Sequence, residues 1–173
     1  MSHSSNKARQ NPQAKGKKFQ SSNSKGSFGR TKLMCHECRA VYDGKSWQSF
    51  EKLNPKTIDE LKISICPACH ENIDHLSDGV LHLTGTGMLA NKKEIKNLIM
   101  NMAKQAEEND VLDRVERIDE SQKNEMIIYT TKNQLAVRIA KKIAASHKGG
   151  KVDIKWSKDD KPVEVKWHYD LKK

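Results

Sequence analysis

Two long segments in the second half of the chain repeat apolar residues every three or four positions. This period places apolar side chains on one face of a helix, so each stripe should be buried. Asn91 with Glu94, and Thr131 with Gln134, have the spacing of a capping box, which starts a helix. Helices are therefore predicted over residues 91–109 and 131–148.

Other segments alternate apolar and polar residues, which is the pattern of a strand with one buried face. The stretch 114–119 also fits a helix, and we favour a strand there. Trp156 and Trp167 fall in the apolar phase of the last two strands, so we expect both indoles in the core. Strands are predicted at residues 80–83, 114–119, 125–130, 152–156 and 163–169, with turns at 85–87 and 157–161.

The order of these elements predicts an α+β domain over residues 79–173. After the short first strand come a helix, two strands, a second helix and two strands (α-β-β-α-β-β). An antiparallel sheet covered on one face by the two helices satisfies this order. Gly85-Thr86-Gly87 lacks the further glycine and the lysine of nucleotide-binding loops, so the sequence does not indicate an ATPase.

Two Cys-x-x-Cys pairs lie in the segment that precedes the predicted α+β domain. The pairs are Cys35 with Cys38 and Cys66 with Cys69, and the chain has no other cysteine. Each pair closes a turn that can place two thiolates on one tetrahedral ion. Between them, Asp43-Gly44 indicates a hairpin and residues 62–65 alternate like a strand. This order predicts a zinc ribbon over residues 32–78.

We expect one structural Zn²⁺ bound by all four cysteines. Four protein thiolates leave no open position for water, so the ion should not be catalytic. Iron in the same site and a cytosolic redox dithiol are the alternatives. The site would be negatively charged, so we expect the cations of Lys32 and Arg39 beside it. The nearby residues expected not to be ligands are His36, His70 and His75.

Composition favours a small metal-held module beside a modest core. The sequence is 35% hydrophobic and 5% aromatic, which is lean for one large core. No segment has the roughly 18 apolar residues of a membrane span, and residues 1–30 lack the apolar segment of a signal peptide. We therefore expect a cytoplasmic protein, in which four cysteines are metal ligands more often than they are disulfides.

Most of the net charge of +10 comes from residues 1–31, which we expect to form a disordered basic tail. The remainder of the chain has 25 basic and 22 acidic residues. The tail suits contacts with nucleic-acid phosphates, and Phe19 and Phe28 could stack on unpaired bases. A solubilising tail is the alternative. Its basic residues are Lys7, Arg9, Lys15, Lys17, Lys18, Lys25 and Arg30.

A second basic surface lies on the polar face of the second predicted helix. It includes Arg138, Lys141 and Lys142, which either face phosphates or are simply solvated. Together with Arg39 and the tail, they form the candidate nucleic-acid-binding set. We find no grouping of nucleophile, base and orienting residue, and we therefore predict neither an enzymatic activity nor a small-molecule substrate.

The chain resembles a family of small bacterial zinc-ribbon proteins. The resemblance covers residues from Cys35 onward. It rests on the two cysteine turns, Trp47, Leu81-His82-Leu83-Thr84-Gly85, the helix at 94–101, Tyr129-Thr130-Thr131 and Leu135-Ala136. That family is distantly similar to the archaeal and eukaryotic adaptor that escorts the large ribosomal subunit. The resemblance implies a partner in the ribosome or ribosomal RNA.

These observations predict a non-enzymatic, zinc-containing RNA-binding protein. The resemblance makes it ribosome-associated, with a role in large-subunit assembly, quality control or translation. A DNA-binding, transcription-associated zinc ribbon and a protein-interaction adaptor are the alternatives.

Overall fold

Two sheets organise the part of the chain that the computed structural model describes, which is residues 31–53, 58, 60–73, 76–156 and 162–171. Residues 1–30 of the predicted tail and the predicted turn at 157–161 therefore lie outside the described residues. The strands are β1 (Leu33–Cys35), β2 (Val41–Tyr42), β3 (Trp47–Gln48), β4 (Lys62–Ser64), β5 (Gly79–Thr84), β6 (Val115–Asp119), β7 (Glu125–Thr130), β8 (Lys151–Lys155) and β9 (Val163–His168). The helices are α1 (Pro67–Ile73), α2 (Thr86–Ala90), α3 (Lys92–Asn109) and α4 (Asn133–Ser146).

The small sheet has the order β3-β2-β1-β4 and, with α1, forms the cysteine module, residues 31–73. The predicted hairpin is confirmed, because β2 and β3 pair antiparallel on either side of Asp43-Gly44. The Asp43 carboxylate accepts hydrogen bonds from the backbone N–H of Lys45 and Ser46, at 2.8 and 2.9 Å, and Gly44 takes a φ of 96°. β1 also pairs in parallel with β4, which brings the two cysteine turns side by side.

The large sheet is mixed, with the order β6-β7-β5-β9-β8. The predicted antiparallel sheet is therefore wrong at one place, since β5 and β9 pair in parallel. The predicted short first strand is β5, which lies at the centre of the sheet and is followed by the additional helix α2 before α3. The alternation of apolar residues shows which side chains face the core. It does not show which strands pair when they are far apart in sequence.

The core of the large sheet lies under α3 and α4, as the apolar stripes predict. Each buried position repeats at helical spacing along its helix. The buried stripe residues are Ile95, Ile99 and Ala106 on α3, and Leu135, Ala136, Ile139, Ala140 and Ile143 on α4. Trp167 on β9 is fully buried among them, as expected, whereas Trp156 lies beyond the end of β8 and is 54% exposed. The prediction for Trp156 is wrong because β8 is an edge strand that ends one residue before it.

Both predicted capping boxes are absent. Asn91 precedes α3, but its side-chain amide donates to the Gly87 carbonyl at 2.8 Å, because α2 runs directly into α3. α4 begins at Asn133, after Lys132. The Thr131 hydroxyl instead donates to the Leu112 carbonyl at 2.7 Å, which ties the start of α4 to the segment before β6.

The turn predicted at 85–87 is only one residue long, since α2 begins at Thr86. Gly85 has a φ of 103° and a ψ of 163°, a region that essentially only glycine adopts. A Cβ on Gly85 would lie 2.3 Å from the Tyr169 carbonyl oxygen, where the chain after β9 crosses the turn. The Gly87 N–H donates to that same oxygen at 2.8 Å.

We predict that Gly85→Ala lowers the free energy of unfolding by about 3 kcal/mol, because backbone strain and a clash with backbone atoms add together. Gly149→Ala is the matched control, since Gly149 has a φ of 106° but its added Cβ would meet only the Tyr169 ring, at 3.5 Å. It should cost about 1 kcal/mol, the strain alone. Denaturant unfolding measures both, and equal losses would contradict the proposed clash.

Candidate metal centre

The four cysteines, which are far apart in sequence, meet at one point. Their Sγ atoms all lie within 4.8 Å of one another, and those of Cys38 and Cys66 are 3.7 Å apart. A tetrahedron of sulfurs at the zinc–sulfur distance of about 2.3 Å has edges of about 3.8 Å. A disulfide would need about 2.05 Å, and all four cysteines are free. The donors therefore fit one structural metal ion such as zinc.

The first cysteine turn depends on an unusual backbone conformation at Arg39. Its φ is 63°, in the left-handed region that normally favours glycine. The Arg39 N–H donates to the Cys35 carbonyl at 2.9 Å, and the Cys35 N–H donates to the Ala40 carbonyl at 2.8 Å. These bonds reverse the chain after β1 and leave Cys35 and Cys38 on the same side of the turn.

The second cysteine turn opens helix α1, an element that the sequence pattern does not predict. Pro67 is the first helical residue, where its missing N–H and fixed φ suit a helix start. Cys66 precedes the helix and Cys69 lies in its first turn. The backbone N–H of Cys66 donates to the Cys35 Sγ at 3.3 Å, and that of Cys69 to the Cys66 Sγ at 3.4 Å. The second turn therefore stabilises the Cys35 sulfur of the first turn as well as its own Cys66 sulfur.

Electrostatics in the cluster favour a bound cation. Burial raises the pKa of the Cys35 thiol, but backbone N–H groups, including those of Cys38 and Cys66, outweigh it and lower this pKa to about 6. Burial raises the pKa of the Cys66 thiol, and it raises that of Cys69 to about 11. Charge on the neighbouring Cys38 sulfur adds to both increases. Four thiolates can thus coexist at neutral pH when a metal ion compensates their charge.

Among the described residues, the cation that contacts the sulfurs is Arg114, which directly precedes the large sheet's edge strand β6. Its Nη2 donates to the Cys38 Sγ at 3.2 Å and its Nη1 to the Cys69 Sγ at 3.8 Å. The side chain is only 17% exposed. Burial lowers the pKa of the guanidinium, but the sulfurs outweigh this effect and raise it above its usual value. Arg114 therefore stays charged against the cluster.

The residues predicted to supply this positive charge have other partners. Lys32 pairs with Glu60 at 2.5 Å, and the Arg39 guanidinium lies over the Phe50 ring, 5.0 Å from its centre. Nothing in the local sequence indicates Arg114, which is 45 residues beyond Cys69. Only the packing of the module against the large sheet brings it to the sulfurs.

The histidines near the cysteines are not part of the cluster in the described residues. The exposed His36 lies 3.1 Å from a Glu37 carboxylate oxygen. His70 lies within α1, and His75 is outside the described residues. The sulfur cluster is thus a complete four-ligand set by itself.

The candidate nucleic-acid residues fall into separate groups. The seven predicted in the tail lie outside the described residues. Arg138, Lys141 and Lys142 are exposed on α4, and Arg39 is exposed beside the metal centre. Arg138 pairs with the mostly buried Asp113 at 2.5 Å, whereas no ion pair among the described residues involves Lys141 or Lys142. These two lysines carry the uncompensated charge of α4.

We predict that Cys66→Ser loses the metal and unfolds the cysteine module, because structural zinc sites supply about 10 to 16 kcal/mol of apparent binding free energy. The large sheet has its own core and should stay folded. Native mass spectrometry and amide hydrogen exchange measure the two effects.

His36→Ala is the control, which should retain the metal and the protection of the module. Loss of protection in β5 and β9 as well would show that module and sheet unfold as one unit. Continued protection of the module in Cys66→Ser would show that the metal is not needed.

Comparison with known proteins identifies no relative. No protein-family model, curated protein or solved structure matches the chain closely enough to indicate a relationship. Within the described part of the chain, no helix has the length and apolarity to cross a membrane. The sulfur cluster and the distribution of charge are therefore the structural features that bear on function.

Proposed function

We propose that the chain is a non-enzymatic zinc-ribbon protein that binds RNA. The zinc would have a structural role, since all four positions of a tetrahedral ion are taken by cysteine. The hairpin β2–β3, the parallel pair β1–β4 and the two cysteine turns support the ribbon.

The observation that carries the RNA proposal is the charge of α4. Residues 133–146 include three basic residues and no acidic residue. Arg138 is held by Asp113, which leaves Lys141 and Lys142 side by side on the exposed face. Lysines without carboxylate partners can contact phosphates without first breaking an ion pair.

The lysines of α3 differ from those of α4 because they have a carboxylate partner. Lys92 and Lys96 both approach the Glu120 carboxylate, at 3.7 and 3.3 Å. Their charges are partly neutralised within the protein, so they should contribute less to phosphate binding than the lysines of α4.

The basic tail would add phosphate contacts to those of α4. It has seven basic residues and no acidic residue, and it leads directly into the cysteine module. RNA is favoured over DNA by the distant sequence similarity to the adaptor that escorts the large ribosomal subunit. That similarity also makes large-subunit ribosomal RNA the first ligand to test.

We predict that the double substitution Lys141→Gln/Lys142→Gln weakens binding of the full-length chain to purified large-subunit ribosomal RNA. If both lysines contact phosphates, the slope of log K against log salt should become shallower by about 2. Binding is measured by filter retention or fluorescence anisotropy across a salt series.

The matched control is Lys92→Gln/Lys96→Gln, which removes the same charge from α3 and should leave the slope nearly unchanged. An equal change in both double variants would show a nonspecific effect of net charge. Stronger competition by duplex DNA than by structured RNA would instead support a DNA-binding role.

A further inference from the structure

Arg114 links three parts of the structure that are distant in sequence. Its guanidinium donates to Cys38 and Cys69 in the cysteine module, and its Nε approaches a carboxylate oxygen of Glu107 on α3 at 3.5 Å. The same Nε donates to the Val111 carbonyl. Its backbone belongs to the short segment 110–114 between α3 and β6, which we call the α3–β6 linker.

The linker also contacts the module through apolar side chains. Val111 and Leu112 pack against the cluster formed by Cys35, Ala40, Cys66 and Ala68. Just before the linker, the Glu108 carbonyl accepts a hydrogen bond from Lys52 of the module at 3.2 Å. Among the described residues, the module therefore contacts the large-sheet domain through this segment and its immediate neighbour.

The linker also has a hydrogen bond within itself and two contacts with the residues that precede α4. Asp110 accepts a hydrogen bond from the Leu112 N–H at 3.0 Å and pairs with Lys132. The Thr131 hydroxyl accepts from the Arg114 N–H at 2.8 Å. Movement of Arg114 would therefore be transmitted to the residues that precede α4.

The strength of the Arg114 contact depends on the charge of the sulfur cluster. Zinc with four thiolates has a net negative charge, so a guanidinium that donates to two of the sulfurs makes charge-assisted hydrogen bonds. A metal ion bound by Cys38 and Cys69 would also hold their two sulfurs at the positions that the guanidinium spans, at 3.2 and 3.8 Å from its nitrogens. If the contact of Arg114 with the sulfurs strengthens metal binding, then metal binding must strengthen that contact by the same factor, because coupling between two sites is reciprocal.

We propose that Arg114 is a positioning residue that couples metal binding to the docking of the cysteine module on the large sheet. Metal binding strengthens the hydrogen bonds between Arg114 and the sulfurs, and these bonds hold the α3–β6 linker against the module. Metal loss weakens them. The proposal rests on the metal centre proposed above and is independent of the RNA ligand.

Two substitutions at Arg114 and one control test the coupling in the full-length chain. Arg114→Met removes the charge and both sulfur contacts, whereas Arg114→Lys keeps the charge but cannot span two sulfurs. Arg117→Met is the control, because Arg117 is also on β6 but lies over the Tyr129 ring, 3.6 Å from its centre. Zinc affinity is measured by competition with a chromophoric chelator, and linker protection by hydrogen exchange.

We expect Arg114→Met to bind zinc at least about 10-fold more weakly than the unmodified chain, which is typical for a lost partner of metal ligands. Arg114→Lys should be intermediate and Arg117→Met unchanged. At saturating zinc, residues 110–114 of Arg114→Met should exchange faster than in the unmodified chain while the module stays protected. This last result separates loss of docking from loss of the metal.

Unchanged zinc affinity in Arg114→Met, or a linker as protected as in the unmodified chain, would overturn the proposal. If Arg114→Met does not fold, linker protection is compared among Arg114→Lys, the unmodified chain with zinc and the unmodified chain without zinc. Equal linker protection in all three would overturn the proposal. An unmodified chain that takes up no zinc would contradict the metal centre itself.

Discussion

The convergence of four cysteine sulfurs on one point is the constraint on which the N-terminal structure depends. The cysteine module has strands of only two or three residues, and its buried apolar residues are few. Such short strands do not form a stable sheet by themselves. A metal ion that holds both cysteine turns would supply the missing free energy, and the parallel pairing of β1 with β4 would follow from the positions of the two turns.

The large sheet has a different source of stability. Its core combines the apolar stripes of α3 and α4 with the buried faces of five strands, and Trp167 is fully buried in it. Because the apolar face of α4 is packed in this core, Lys141 and Lys142 lie on the outer face of the helix. The large sheet also presents the linker and Arg114 to the module, so that the metal centre and the proposed RNA surface belong to one connected structure.

The features that could be predicted from sequence are those that depend on local patterns. The Asp43-Gly44 hairpin follows from turn chemistry, and the helices follow from the spacing of residues such as Ile95, Ile99 and Ile143. The cysteine cluster follows from the fixed geometry of two Cys-x-x-Cys turns.

The features that could not be predicted depend on contacts between distant segments. The capping boxes do not form because the Asn91 and Thr131 side chains donate instead to the Gly87 and Leu112 carbonyls. The parallel pairing of β5 with β9 and the contact of Arg114 with the sulfurs are both set by packing. Charge near a metal site can be expected in principle, but the residue that provides it depends on the tertiary structure.

The identity and ligands of the metal test the central claim most directly. X-ray absorption at the zinc edge, on protein purified without added metal, should show zinc with four sulfur neighbours at about 2.3 Å. Protein that contains no metal, or a metal bound by nitrogen or oxygen in place of sulfur, would contradict the account.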